Sequence, residues 1–223
     1  MRGSFIVVAA LVGISGSLSG QVCQGNASYS SGPVRVGANA GFTSGAKNYG
    51  AQAGVGAASG LYGVADVSLD RYNDVSGTGT GMSIAGGYVF DAGPATSSRF
   101  CPVVSLGYGR GPSYSTSIGS VHNTTHTYGL GGYLGGVAAS SGTLDFIPFV
   151  GFEYGHARVN YPLGGTSSFT YDDKSLELGA GFVINHTMTI RPSANYAIAG
   201  SHSSGYHYAI AFSKNFGAAG PTK

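Results

Sequence analysis

From Val34 to Phe216, large apolar side chains alternate with Gly, Ser, Thr, Asn or an occasional charge, in segments of roughly ten residues. In the last segment Tyr206, Tyr208, Ile210, Phe212 and Phe216 share one phase, broken by Lys214, and His207, Ala209, Ala211, Ser213 and Asn215 share the other. Before it, Met188, Ile190, Ala194, Tyr196 and Ile198 oppose Thr189, Arg191, Ser193, Asn195 and Ala197. Earlier still, Leu176, Leu178, Ala180, Phe182 and Ile184 oppose Ser175, Glu177, Gly179, Gly181 and Asn185. A period of two belongs to the β-strand, whose successive side chains point to opposite faces. Composition agrees: 40 of the 223 residues are Gly, and each interior Gly costs a helix about 1 kcal/mol relative to Ala. The glycines follow no G-X-Y period, which excludes collagen. The 15 Tyr and 11 Phe exclude plain disorder.

The pattern predicts strands near 34–42, 48–57, 61–72, 78–90, 100–110, 126–138, 144–160, 174–185, 188–199 and 205–216. That makes about ten, with eight as the other possibility. Connections alternate in length. Those at 58–60, 140–142 and 186–187 are tight, and 91–98 is somewhat longer. On the other side stand 43–47, 73–77, 200–204 and two long stretches, 109–125 and 162–173, rich in Ser, Thr, Gly and Tyr. Short turns on one rim and longer loops on the other characterise outer-membrane barrels. Only 9% of residues are charged, far below the roughly 25% of soluble domains, and the second face is mainly Gly, Ala, Ser and Asn. A barrel in lipid accounts for both, with apolar side chains outward, small and polar ones inward, and no open sheet edge. The fold expected is therefore all-β, an antiparallel up-and-down transmembrane β-barrel. The inward phase holds Arg35, Asp66, Asp70, Glu153, Glu177 and Arg191. Both signs are present, so the expectation is a lumen filled by mutual ion pairs and hydrogen bonds, with selectivity or transport as the competing role.

The N-terminus reads as a secretory signal: Met1-Arg2, the apolar run Phe5–Ile14, then small residues to Gly20, with cleavage expected after Gly20. The run is half of what a membrane-anchoring helix needs. The organisation expected is signal peptide 1–20, periplasmic N-terminal segment 21–33, barrel 34–216 and tail 217–223. Cys23 and Cys101 both fall at the short-turn rim in this layout, and an exported chain meets an oxidising compartment, so a disulfide between them is expected. Net charge is +2, which gives no field for nucleic-acid binding.

The leader, the alternation through 34–216 and the aromatic-ended final strand Tyr208-Ala-Ile-Ala-Phe-Ser-Lys-Asn-Phe216 resemble the small outer-membrane β-barrel proteins of the OmpA type. That resemblance implies that Tyr208, Ile210, Phe212 and Phe216 form the C-terminal signal read by the barrel assembly machinery. In the family this signal ends the chain, whereas here Gly217–Lys223 follow it. No peptidoglycan-binding domain is expected in those seven residues.

Little else points to chemistry. His122, His126, His156, His202 and His207 gather near one rim, but His122 and His126 have ligand spacing only on a helix, and the segment reads as loop or strand. Glu153 and His156 would point to opposite faces of a strand, so they form no dyad. Gly129-Leu-Gly-Gly-Tyr133 lacks the context of a phosphate loop. No enzyme, cofactor or metal is expected. The role expected is structural, surface-interacting or narrow-pore, in a monomer whose partners are outer-membrane lipids and lipopolysaccharide. For the latter, Arg110, Arg158 and Lys174 stand at the loop roots, with Tyr114, Tyr161 and Tyr171 in the loops. The alternatives are a secreted soluble or fibre-forming β protein and, less favoured, an outer-membrane barrel enzyme.

Overall fold

The computed structural model describes residues 22–57, 60–73, 77–91, 98–116, 119–162, 167–200 and 206–217. The proposed signal peptide, His202 and most of the C-terminal tail lie outside them. Ten strands form the wall: β1 (Val34–Phe42), β2 (Ala46–Gly56), β3 (Tyr62–Tyr72), β4 (Thr78–Gly87), β5 (Ser98–Thr116), β6 (Gly119–Gly136), β7 (Leu144–Tyr161), β8 (Ser167–Ile184), β9 (Met188–Gly200) and β10 (Tyr206–Phe216). Two-residue pieces, Phe90–Asp91 and Ala139–Ser140, pair onto β5 and β7 at one end. Every strand is antiparallel to its successor, and β10 returns to pair with β1 from Val34↔Phe216 to Phe42↔Tyr208. The sheet is a closed up-and-down barrel of ten strands. Among the described residues no helix is long and apolar enough to cross a membrane, and the strands supply the spans instead.

The alternation read from the sequence is the inside–outside alternation of this wall. Val67 and Leu130 are each 59% exposed, whereas Arg35 is 0% and Glu153 6% exposed. A soluble protein sorts these residue types the opposite way. The tight turns follow local chemistry. Between β8 and β9, Asn185 and His186 both take positive φ, 49° and 56°, and Thr187 N–H closes on the Ile184 carbonyl at 3.2 Å. That is a primed turn, whose twist matches that of the strands it joins.

Two expectations are corrected. The stretches 109–125 and 162–173 are largely strand, not loop. β5 and β6 stay paired out to Thr116↔Gly119 across an irregularity between Arg110 and Ser113, and β7 and β8 out to Tyr161↔Ser167. These four strands have 18 or 19 residues, where a span needs about 9–11. The surplus forms a four-stranded wall that stands above the rest of the rim. Ala157, Val159 and Tyr171 are buried on its concave face, with Tyr161 and Phe169 against them. The second correction concerns residues 21–33. Val22–Gly32 do not hang below the barrel; they fold back into its lumen.

Candidate functional site

The lumen is occupied at the short-turn end by Val22–Gly32, which makes two single 3₁₀ turns, Val22–Gln24 and Tyr29–Ser31. Cys23, Gln24, Asn26, Ala27 and Tyr29 are at most 2% exposed. Cys23 is disulfide-bonded to Cys101 of β5, with a Cα–Cα distance of 6.0 Å, which lies inside the range such a bond permits. The plug then follows the wall through polar contacts. Ala27 N–H donates to Thr189 Oγ1 at 3.0 Å, and Asn215 Nδ2 donates to the Ser28 carbonyl at 2.8 Å. Arg35, on β1, donates from Nε to Asn215 Oδ1 at 2.8 Å and from Nη2 to the Ala27 carbonyl. Its guanidinium also lies over the Tyr29 ring, 4.4 Å from the centroid. The close fit depends on missing side chains: a Cβ on Gly181 would collide with the Gly25 carbonyl, and one on Gly135 would come within 2.7 Å of the Cys23 carbonyl.

Above the plug lies a charged layer. Arg191 Nη2 donates to Glu177 Oε1 at 2.8 Å, and the guanidinium sits 5.0 Å from the Phe149 ring centroid. The Tyr133 hydroxyl contacts Glu177 Oε2 at 3.1 Å and bonds Glu153 Oε1. Glu153, Tyr133, Glu177 and Arg191 thus form one buried network. Towards the opposite mouth Asn39 Nδ2 donates to Asp66 Oδ2 at 3.1 Å, and Asn48 Nδ2 to Asp70 Oδ1 at 2.7 Å. All six lumen charges therefore face inward, but Arg191–Glu177 is the one Arg–carboxylate pair recorded among them. Amides and a phenol satisfy the other acids, and the plug takes up Arg35. The sequence does place Asn39, Asn48, Thr189 and Asn215 on the inward phase; what it lacks is any sign that 22–32 would reach them, since that segment has no periodicity.

The remaining candidates are dispersed. His122 Nδ1 bonds the Gly111 carbonyl at 3.1 Å, and His126 packs edge-on to Tyr108 at 5.2 Å. His156 points outward and hydrogen-bonds Asp172 at 2.7 Å, while Glu153 points inward. The two residues face opposite sides of β7, so they cannot act on one substrate. Asp172 lies beyond the membrane-spanning part of β8, and the bonds from His156 and then Tyr154 hold its carboxyl below the ordinary carboxylate value. Among the described residues no group of three metal-ligating side chains converges. In β10, Tyr208, Phe212 and Phe216 are exposed on the outer face and Ile210 is half-buried there.

No family model matches the chain, and no curated protein matches it in sequence. Solved structures do. The β domain of the Bordetella autotransporter BrkA superposes with a TM-score of 0.57 at 16% identity, over 83% of this chain and 100% of that one. The N-terminal barrel domain of Pseudomonas aeruginosa OprF gives a TM-score of 0.40 at 11% identity, over 82% and 96%. The Yersinia pestis attachment invasion locus protein Ail gives 0.39 at 11%, over 81% and 94%. Identity this low speaks for fold alone. Apolar-out strands, closure of β10 on β1 and the BrkA likeness lead to one conclusion: the chain has the fold of a bacterial outer-membrane β-barrel, here with ten strands.

Proposed function

We propose that this protein is a sealed, non-catalytic outer-membrane barrel that serves the envelope through its wall and its outer surface, and not through conduction. The observation that carries the reading is the plug. Val22–Gly32 fill the short-turn end of the lumen, held by a disulfide and by Arg35, Thr189 and Asn215. The buried Tyr133–Glu153–Glu177–Arg191 layer adds a second obstruction. The lumen charges Arg35, Asp66, Asp70, Glu153, Glu177 and Arg191 each bond to a group of the protein itself, and a small barrel is just wide enough for side chains to fill. The mirror-image placement of polar and apolar residues supports outer-membrane lipid as the solvent of the outer face. The exposed aromatics of β10 are consistent with recognition by the barrel assembly machinery. A monomer suffices, since closure leaves no strand of the span unpaired.

Single-channel recording in planar bilayers tests this. The intact protein is expected to give no steady conductance, and a variant lacking residues 22–32 to give discrete openings. Steady conductance from intact, oxidised protein would overturn the reading.

A further inference from the structure

The outer face of the wall carries an uneven distribution of charge. Lys47, Arg71, Arg110, Arg158 and Lys174 are all exposed and sit on the outward phase of β2, β3, β5, β7 and β8. All five lie at the long-hairpin end, the end that faces away from the periplasm in an outer-membrane barrel. At the opposite end Lys214 is the outward base among the described residues. The outward neighbours along each strand set the height of its base. One outward step towards the periplasm below Lys47 is Tyr49, below Arg71 is Leu69, below Arg110 is Tyr108 and below Lys174 is Leu176; below Arg158 come His156 and then Tyr154. Tyrosines at that level form the girdle where hydrocarbon gives way to headgroups. Lys47 and Arg110 therefore stand one strand step above a tyrosine of that girdle and Arg158 two, at roughly 5 Å of height per step on a tilted strand, and Lys174 lies across from Tyr154 on the neighbouring strand.

Among the described residues these charges meet little of opposite sign. Among the described residues Asp172 is the outward carboxylate at this level, and it is engaged by His156 and Tyr154, with Lys174 nearby. Lys47, Arg71, Arg110 and Arg158 have no acidic partner there. Lys47 and Arg71 are also directly opposite one another across β2 and β3, and like charges in that position repel. An external anion lying between them would turn the repulsion into attraction. Three of the five bases are Arg, whose planar fork matches a phosphate bidentately.

We propose that this arc, from β2 round to β8, is a binding surface for the phosphate groups of lipopolysaccharide in the outer leaflet. The proposal rests on the reading of the chain as an outer-membrane barrel and deepens it. Height, charge and outward orientation single out a phosphorylated lipid of that leaflet over a soluble anion, because the Tyr and Leu below each base would meet the acyl chains of the same molecule.

The test is native mass spectrometry of the full chain, refolded in detergent and titrated with bisphosphorylated lipid A, dephosphorylated lipid A and phosphatidylglycerol. Bisphosphorylated lipid A is expected to bind roughly tenfold more tightly than either comparator. The combined variant Lys47→Gln, Arg71→Gln, Arg110→Gln is expected to lose that preference, and Lys214→Gln at the other rim to keep it. If the combined variant gives no folded, heat-modifiable band, Arg110→Gln alone is used and a several-fold loss is expected. Equal binding of the three lipids, phosphatidylglycerol binding as tightly as lipid A, or full retention by the folded variant would each overturn the proposal. Failure of the unaltered chain to give a heat-modifiable band would instead overturn the barrel reading beneath it.

Discussion

The guanidinium of Arg35 is fully enclosed and joins three parts of the molecule: β1 that carries it, Asn215 of β10 and the Ala27 carbonyl of the plug. Arg35→Met keeps the volume but strands two buried acceptors, each worth about 1–3 kcal/mol. A loss of about 2–4 kcal/mol is expected on refolding into lipid vesicles. On the same scale, Val67→Arg puts a charge into lipid near mid-span and should cost about 2–4 kcal/mol. Its neighbour Ser68 faces inward between Asp66 and Asp70 on β3, so Ser68→Arg should cost clearly less. Equal costs in the two variants would contradict the inside–outside assignment. Outside the span, the depressed Asp172 titration fixes a pH window. Its favourable contact with His156 is present above the unfolded carboxylate value and is lost as pH falls through the lower folded one. Carboxyl NMR should therefore find Asp172 ionised throughout the neutral range, and the His156→Ala variant should move its titration upward.

Strand phase was legible in the sequence because a lipid-facing wall demands it of every strand; the tall hairpins were not. Residues 109–125 and 162–173 are rich in Gly, Ser and Thr, and those residues carry turn chemistry in isolation. Here cross-strand pairing, which a single strand cannot reveal, overrides that preference. The phase persists quietly in Val159, Tyr161, Phe169 and Tyr171, whose apolar side faces the concave surface above the membrane instead of lipid. The tall wall adds no pairing to the spans below Arg110 and Thr124. Replacing residues 112–122 with an Asn-Gly turn should thus leave heat-modifiable migration unchanged. A variant that no longer folds would show that the wall nucleates the barrel.

For the whole molecule, the Cys23–Cys101 bond closes a loop of 78 residues, for which chain entropy gives about 4 kcal/mol. Cys23→Ser is expected to lower stability by up to about that amount while the barrel still forms, because the other contacts of the plug remain. Non-reducing mass spectrometry of the exported protein should find no free thiol. The plug has a second effect that follows from where it lies. All neighbouring strands are consecutive in sequence except β1 and β10, so the cylinder has a single seam. The plug crosses it from within: Ser28 and Ser31 accept from Asn215 on β10, Arg35 on β1 donates to that same Asn215, and a Cβ on Gly32 would come within 2.8 Å of the Phe216 carbonyl oxygen. The N-terminal segment is in effect a row of stitches along the only line at which the cylinder can unzip sideways into the bilayer. A chain without it would keep the ladder from Val34↔Phe216 to Phe42↔Tyr208 but lose the ties laid across it, so that line is where sideways opening is expected to begin.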